Sequence, residues 1–190
     1  MIVPQTMKST PNGEYHMDIY SHLLDERIIM LDGPVDDASA SIIKAQLMYL
    51  DAKDPDKDIH LYVNSPGGSV SAGMGIIDVM NLVHADVSTI ATGMAASMGS
   101  LILACGAKGK RYTLKHSEVM IHQPLGGAQG QATDIQIAAR HIERTKNVIA
   151  KMYEDATGRA MDDIMKDIER DNWLDAQEAV DYGIVDAILE

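Results

Sequence analysis

A chain of 190 residues is long enough for one domain with a substantial core, and 46% hydrophobic with 23% charged residues is an ordinary globular composition. The net charge of −12, with no basic cluster longer than Lys108-Gly109-Lys110-Arg111, argues against nucleic acid and anionic membranes as partners. The single cysteine, Cys105, excludes an intramolecular disulfide, fits a reducing compartment and reads as a buried, inert thiol in an apolar run.

The first 17 residues are polar and contain Pro11-Asn12-Gly13, which reads as a turn or a mobile arm. Met1-Ile2-Val3-Pro4-Gln5 has neither an apolar signal core nor an Arg-rich amphipathic pattern, so a cytoplasmic location is expected. Arg27-Ile28-Ile29-Met30-Leu31 reads as a first strand. Residues 36–51 read as a helix, with Ile43, Leu47 and Leu50 on one face. After Pro55, Ile59-His60-Leu61-Tyr62-Val63 forms a second strand that ends in Asn64-Ser65-Pro66-Gly67-Gly68. A helix bearing Ile76, Met80 and Val83 follows, and then a strand at 87–91. Residues 87–107 carry no charge and are long enough to span a bilayer, but their Gly, Ser and Thr residues divide them into strand, turn and helix. Short strands are expected near 111–114 and 118–121. The longest helix covers 132–157 and stops at Gly158, and Asp175 with Glu178 forms a capping box for a last helix ended by Gly183. Alternating strands and helices predict an α/β fold with parallel pairings. The 132–157 helix has Ile135, Ile137, Ile142, Val148, Ile149 and Met152 on more than one face, so it is either a central helix or a projecting element packed on another subunit.

Three segments suggest acyl-transfer chemistry. Ser97, in Gly93-Met94-Ala95-Ala96-Ser97-Met98-Gly99-Ser100, sits between a strand and an apolar helix, where small neighbours let a substrate carbonyl approach. Position 95 is Ala, so this is not the Gly-x-Ser-x-Gly elbow. A serine hydroxyl needs an adjacent base, and His122 at the end of the Val119-Met120-Ile121 strand is the best placed. An acid must orient the imidazole. Asp171 is the choice over Asp162, Asp163 and Asp167, which read as an exposed helical face. Gly67-Gly68 and the Met98 amide offer backbone donors for an oxyanion. The remaining histidines have no HxxxH or HExxH spacing, so no metal site is expected, and no GxxxxGK[ST] phosphate loop occurs.

Asp18-Ile19-Tyr20-Ser21, Leu61 through Gly68, Ala95-Ala96-Ser97-Met98-Gly99, Gly106 through Arg111, Met120 through Gly127, and Glu169-Arg170-Asp171 occur in one order. With these segments the chain resembles the Clp serine peptidase family over residues 17–189. The resemblance implies a crotonase-like ββα spiral head (18–190), a mobile axial N-terminal arm (1–17) and a handle of about 123–157 that interleaves two heptamers into a homo-tetradecamer. It places the catalytic serine, histidine and aspartate on Ser97, His122 and Asp171, and the oxyanion donors on Gly68 and Met98. Val70, Leu125, Gly126 and Gly127 would line the substrate groove, with residues 126–131 as a groove strand facing the other ring. Gln131 and Arg170 would join the rings. A hexameric AAA+ unfoldase, which itself hydrolyses the ATP, would dock its loops in apolar pockets involving Tyr62, Leu82, Ile90, Tyr112, Leu114 and Leu189. This chain is then expected to need no cofactor, and to cleave unfolded polypeptides in the bacterial cytoplasm. His60 stands where Tyr is common, Leu82 where Phe is common and His22 where Arg is usual, which bears on partner affinity and intersubunit contacts rather than on the chemistry. No long propeptide precedes the arm, so N-terminal processing is expected to be short or absent.

Other readings are a crotonase-like acyl-CoA enzyme, which uses backbone oxyanion holes without a Ser-His-Asp set, and a non-catalytic subunit of a mixed barrel. A crotonase would keep most of its activity in Ser97→Ala, whereas a peptidase would lose it.

Overall fold

In chain order, the computed structural model begins with β1 (Gln5–Thr10) and β2 (Gly13–Asp18), α1 (Ile19–Asp25), β3 (Ile28–Asp32), α2 (Asp37–Lys53) and β4 (Ile59–Ser65). It continues with α3 (Val70–Leu82), β5 (Val87–Ala96), α4 (Met98–Ala104), β6 (Arg111–Leu114) and β7 (Glu118–Ile121). The last part is α5 (Ala132–Thr157), α6 (Met161–Asp167), β8 (Asn172–Leu174), α7 (Ala176–Tyr182) and β9 (Ala187–Leu189). Residues 3–11 and 13–189 are described; Met1, Ile2, Asn12 and Glu190 lie outside them, and with Asn12 the middle of the expected turn. No helix among the described residues is long and apolar enough to cross a membrane.

The polar N-terminal segment, read as a turn or mobile arm, forms an antiparallel hairpin that pairs Gln5 with Asp18 through Thr10 with Gly13. A two-stranded ribbon that buries neither face needs no apolar alternation, so its sequence carries no strand signal. The other strands form one seven-stranded sheet, β3-β4-β5-β6-β9 in parallel, with β7 joined to β5 and β8 joined antiparallel to β7. The expected strands and helices of the middle region are present, with α2 and α3 beside the sheet. α2 buries Ala40, Ile43, Leu47 and Leu50, the stripe its spacing predicts, and Asp36 with Ser39 closes a capping box at its start.

β5 is longer than its apolar run suggests, because it serves two neighbours in succession. Thr89 to Ala91 pair with β6, and Met94 to Ala96 pair with β7. Between them the chain bends at Gly93, whose φ of 88° favours a residue without Cβ. The buried Ser117 hydroxyl holds this bend, accepting from the Gly93 amide at 2.9 Å and donating to the Ala91 carbonyl at 3.0 Å. The fork delivers the end of β5 and the end of β7 to one place.

Two buried arginines stitch the frame. Arg27 donates to the carbonyls of Leu50, Lys57 and Asp58, which fixes the end of α2 to the start of β4. Arg111 makes a two-pronged pair with Asp186 (2.6 and 3.0 Å) and donates to the carbonyls of Ala104 and Ala156. Burial pushes the Asp186 carboxyl up, but its bonds from Arg111 outweigh this and hold it below the usual range.

The 132–157 helix forms with the expected bounds and stops at Gly158 in the left-handed conformation. Its buried residues are Ile149, Ala150 and Tyr153, while Ile135, Ile137 and Val148 are exposed. Its fully buried residues therefore lie toward the C-terminal end, while Ile142 and Lys146 make half-buried contacts nearer the middle. The 126–131 stretch, expected as a groove strand, is not a strand here; its residues are exposed and have no ladder partner among the described residues. A strand exists only where its backbone groups are paired.

Candidate active site

Ser97 is the single residue between the end of β5 and the start of α4. It adopts φ 54° and ψ −120°, a conformation that L residues disfavour and that persists only where the surroundings enforce it. Its amide donates to the Met120 carbonyl at 2.9 Å, tying the turn to β7. Gly67 closes the other side. A Cβ there would meet the Ala96 carbonyl at 2.6 Å, the Ser97 Cβ at 2.7 Å and the Met98 nitrogen at 2.8 Å. The backbone of 67–68 is thus pressed against the serine turn. Gly68 in turn bridges to Val35 and leaves no room for a side chain against the Val35 carbonyl. Among the described residues, the Gly68 and Met98 amides donate to no protein acceptor.

His122 follows the last residue of β7 and faces the turn, with Nε2 2.8 Å from Ser97 Oγ. Its Nδ1 lies 2.9 Å from Asp171 Oδ1. A carboxylate only accepts, so Nδ1 carries the proton and Nε2 is left to accept from the serine hydroxyl. The delivery of Asp171 has a simple origin. β8 runs antiparallel to β7 with Ile121 opposite Asn172, so the next step along the ladder sets Asp171 across from His122. The imidazole is largely covered (side chain 13% exposed), whereas the Asp171 carboxylate is 64% exposed.

The loop carrying Asp171 is anchored by Gln123 and Glu169, inside the quoted segments, and by Lys146, which no motif includes. The Gln123 amide donates to the Ile168 carbonyl at 2.6 Å, and its side chain donates to the Glu169 carbonyl at 2.9 Å. Lys146 on α5 pairs with Glu169 at 3.0 Å and holds that carboxyl below its ordinary range. None of these contacts joins residues close in sequence, and each depends on the β7–β8 ladder. The rival acids lie elsewhere: Asp163 pairs with Lys166, and Asp167 accepts from the Tyr182 hydroxyl. Asp162 sits in the first turn of α6.

Ser97 and His122 line a tight crevice with Val70, Met98, Leu101, Pro124, Ile149 and Tyr153. Val70 and Pro124 also border a cleft of about 600 Å³ whose walls include Gly68, Met74, Leu125 and Ile142. Of the expected groove residues, Val70 and Leu125 line this cleft. Gly126 lies against Ile142 on its wall, and Gly127 has open space beside it. Gln131 caps α5 and Arg170 adjoins Asp171, both exposed.

Tyr62, Ile90 and Tyr112 stand in register across β4, β5 and β6, and Leu114 pairs with Leu189 on the sheet edge. Leu82, Leu114 and Leu189 are exposed, and Tyr62 and Tyr112 are half-buried. Ile90, expected in the same surface pocket, is only 2% exposed. It stands between the half-buried Tyr62 and Tyr112 on the neighbouring strands.

A hydroxyl, an imidazole and a carboxylate linked in this order, beside two backbone amides without a protein acceptor among the described residues, have the arrangement that serine hydrolases use. The Clp protease family model matches residues 11–190. The chain is 56% identical over 189 residues to the ATP-dependent Clp protease proteolytic subunit of Ligilactobacillus salivarius (strain UCC118), covering 100% of this chain and 96% of that one. The chain belongs to the Clp protease family.

Proposed function

We propose that this protein is the proteolytic subunit of an ATP-dependent Clp protease, a serine endopeptidase that cuts unfolded polypeptides into short peptides. The observation that carries the mechanism is the pair of contacts at His122, 2.8 Å to Ser97 Oγ and 2.9 Å to Asp171 Oδ1. In this reading His122 Nε2 takes the Ser97 proton as Oγ attacks the scissile carbonyl. Asp171 stabilises the imidazolium, and the Gly68 and Met98 amides hold the tetrahedral oxyanion. His122 then gives the proton to the leaving amine, and the amine departs. The remaining acyl ester is attacked by water, which His122 deprotonates in the same way; the acyl–Oγ bond then breaks, His122 returns the proton to Ser97 Oγ and the peptide acid leaves. The cleft beside Val70 and Leu125, with its Met74, Ile142 and Val148 walls, suits an extended peptide with an apolar side chain next to the cut bond.

The architecture supports the wider reading. The alternation of β3, β4 and β5 with α2 and α3 fits the head of a crotonase-like spiral. α5 fits a handle, because Ile135, Ile137 and Val148 are exposed on a helix whose fully buried residues all lie near its C-terminal end. Two stacked heptamers would cover those residues, with Gln131 and Arg170 at the junction between rings. A hexameric AAA+ unfoldase would hydrolyse the ATP and dock near Tyr62, Leu82, Tyr112, Leu114 and Leu189. The location that fits is the bacterial cytoplasm.

Hydrolysis of a short fluorogenic peptide without ATP tests the reading. The parent cleaves it and Ser97→Ala does not. Cleavage that persists in Ser97→Ala would remove Ser97 as the nucleophile, turnover of an acyl-CoA by both the parent and Ser97→Ala would point instead to an enzyme of crotonase type, and no cleavage by the assembled parent would point to a non-catalytic subunit.

A further inference from the structure

Ser100 is completely buried three residues after Ser97, and its hydroxyl sits at a crossing of contacts. Its Oγ lies 2.7 Å from the Ser97 carbonyl, 2.8 Å from the Met120 carbonyl and 2.8 Å from the Tyr153 hydroxyl. Carbonyl oxygens only accept, and Ser100 has one proton to give. One of the two carbonyls takes that proton, and the Tyr153 hydroxyl, with no other acceptor among the described residues, donates to Ser100. Burial pushes the Tyr153 phenol up from its ordinary value, which keeps the donor protonated.

The resulting chain runs from α5 through α4 to the two backbone segments that carry the nucleophile and the base. The Met120 carbonyl also accepts from the Ser97 amide at 2.9 Å, and lies two residues before His122. The Ser97 carbonyl also accepts from the Leu101 amide at 3.2 Å. Ser97 holds a disfavoured backbone conformation, which needs such over-determination to persist. Of the three buried residues by which α5 packs on this chain, Tyr153 alone has a polar side chain.

We propose that Tyr153 and Ser100 are positioning residues, and that their buried hydrogen bond holds the Ser97 turn against β7 and so sets the distance from Ser97 to His122. Both hydroxyl-bearing residues are buried. Tyr153 makes the setting of α5 part of the catalytic geometry. The inference rests on the reading of Ser97 and His122 as nucleophile and base.

The test uses the full chain in its assembled form, with Tyr153→Phe, Ser100→Ala and the double variant. Tyr153→Phe removes one oxygen and keeps the buried ring, so it preserves the packing even where Ser100→Ala loosens it. Each is measured for its unfolding midpoint, for kcat and KM on a short peptide, and for its second-order rate of fluorophosphonate labelling. Tyr153→Phe is expected to lower kcat and the labelling rate together by about 10-fold with KM unchanged, because a misplaced reacting pair loses rate and not ground-state binding. The double variant is expected to be no slower than Ser100→Ala, since both act through one chain of contacts. Equal labelling of Tyr153→Phe and a labelled parent overturns the inference and leaves the peptidase reading standing. A rise in KM with kcat unchanged, or fully additive losses, also overturns it. An unlabelled, inactive parent overturns the peptidase reading and this inference with it.

Discussion

Replacing Gly67 by Ala probes the support beneath the serine turn. Two costs add. At φ 85° an L side chain costs about 1–2 kcal/mol for the left-handed backbone. The new Cβ would also come within 2.6 Å of the Ala96 carbonyl and 2.8 Å of the Met98 nitrogen. Both are backbone atoms of a buried turn and have little room to give, so overpacking adds about 1–3 kcal/mol. Gly109→Ala isolates the first cost, because Gly109 has φ 81° and a Cβ added there would meet nothing within 4 Å. Urea unfolding at fixed protomer concentration should show Gly67→Ala less stable than the parent by about 2–5 kcal/mol, and Gly109→Ala by about 1–2 kcal/mol. Fluorophosphonate labelling should be lost in Gly67→Ala and kept in Gly109→Ala. Equal midpoints and equal labelling in the two variants would refute the claim that 67–68 buttresses the nucleophile.

Asp171→Asn should leave folding intact and lower kcat about 1,000-fold, since the amide favours the wrong histidine tautomer; a peptide assay showing less than about a 10-fold loss would remove Asp171 from the triad. Arg111→Met should cost about 3 kcal/mol in urea unfolding, because it strands Asp186 and the Ala104 and Ala156 carbonyls. Asp186 is held below its ordinary value of 3.8, so its contribution is present above that value and lost as pH falls through the lower folded value. The gap between parent and Arg111→Met should therefore narrow below pH 3.8, as followed by unfolding at a series of pH values. Burial pushes the Cys105 thiol up to about 12, so iodoacetamide at pH 8 should modify it at least about 100-fold more slowly in the folded protein than in urea, read by mass.

Elements with a strong period or a clear stop were legible from residues alone. The α2 stripe, the α5 end at Gly158 and the Asp175–Glu178 box are local features, and local chemistry decides them. The Ser97 segment and the strand-end position of His122 were legible for the same reason. Asp171 was picked from among several acids, but its pairing with His122 was not legible, because it depends on β8, a three-residue strand too short to show a period, whose register comes from β7. α1 and β9 were missed as short elements, and the hairpin because its two faces are both exposed. The extension of β5 to Ala96 depends on two separate partners, which no window of its own sequence reveals. The covering of Ile90 likewise reflects what packs around a central strand. The Ser100–Tyr153 contact joins residues 53 apart, and only the packing of α5 brings them together.

Whether Ser97 is a nucleophile activated by His122 is decided by intact-mass analysis of the assembled protein after exposure to a fluorophosphonate. One adduct per chain, mapped to Ser97 and absent from Ser97→Ala and His122→Ala, is the expected result. An unmodified parent, or an adduct that persists in Ser97→Ala, would contradict that assignment.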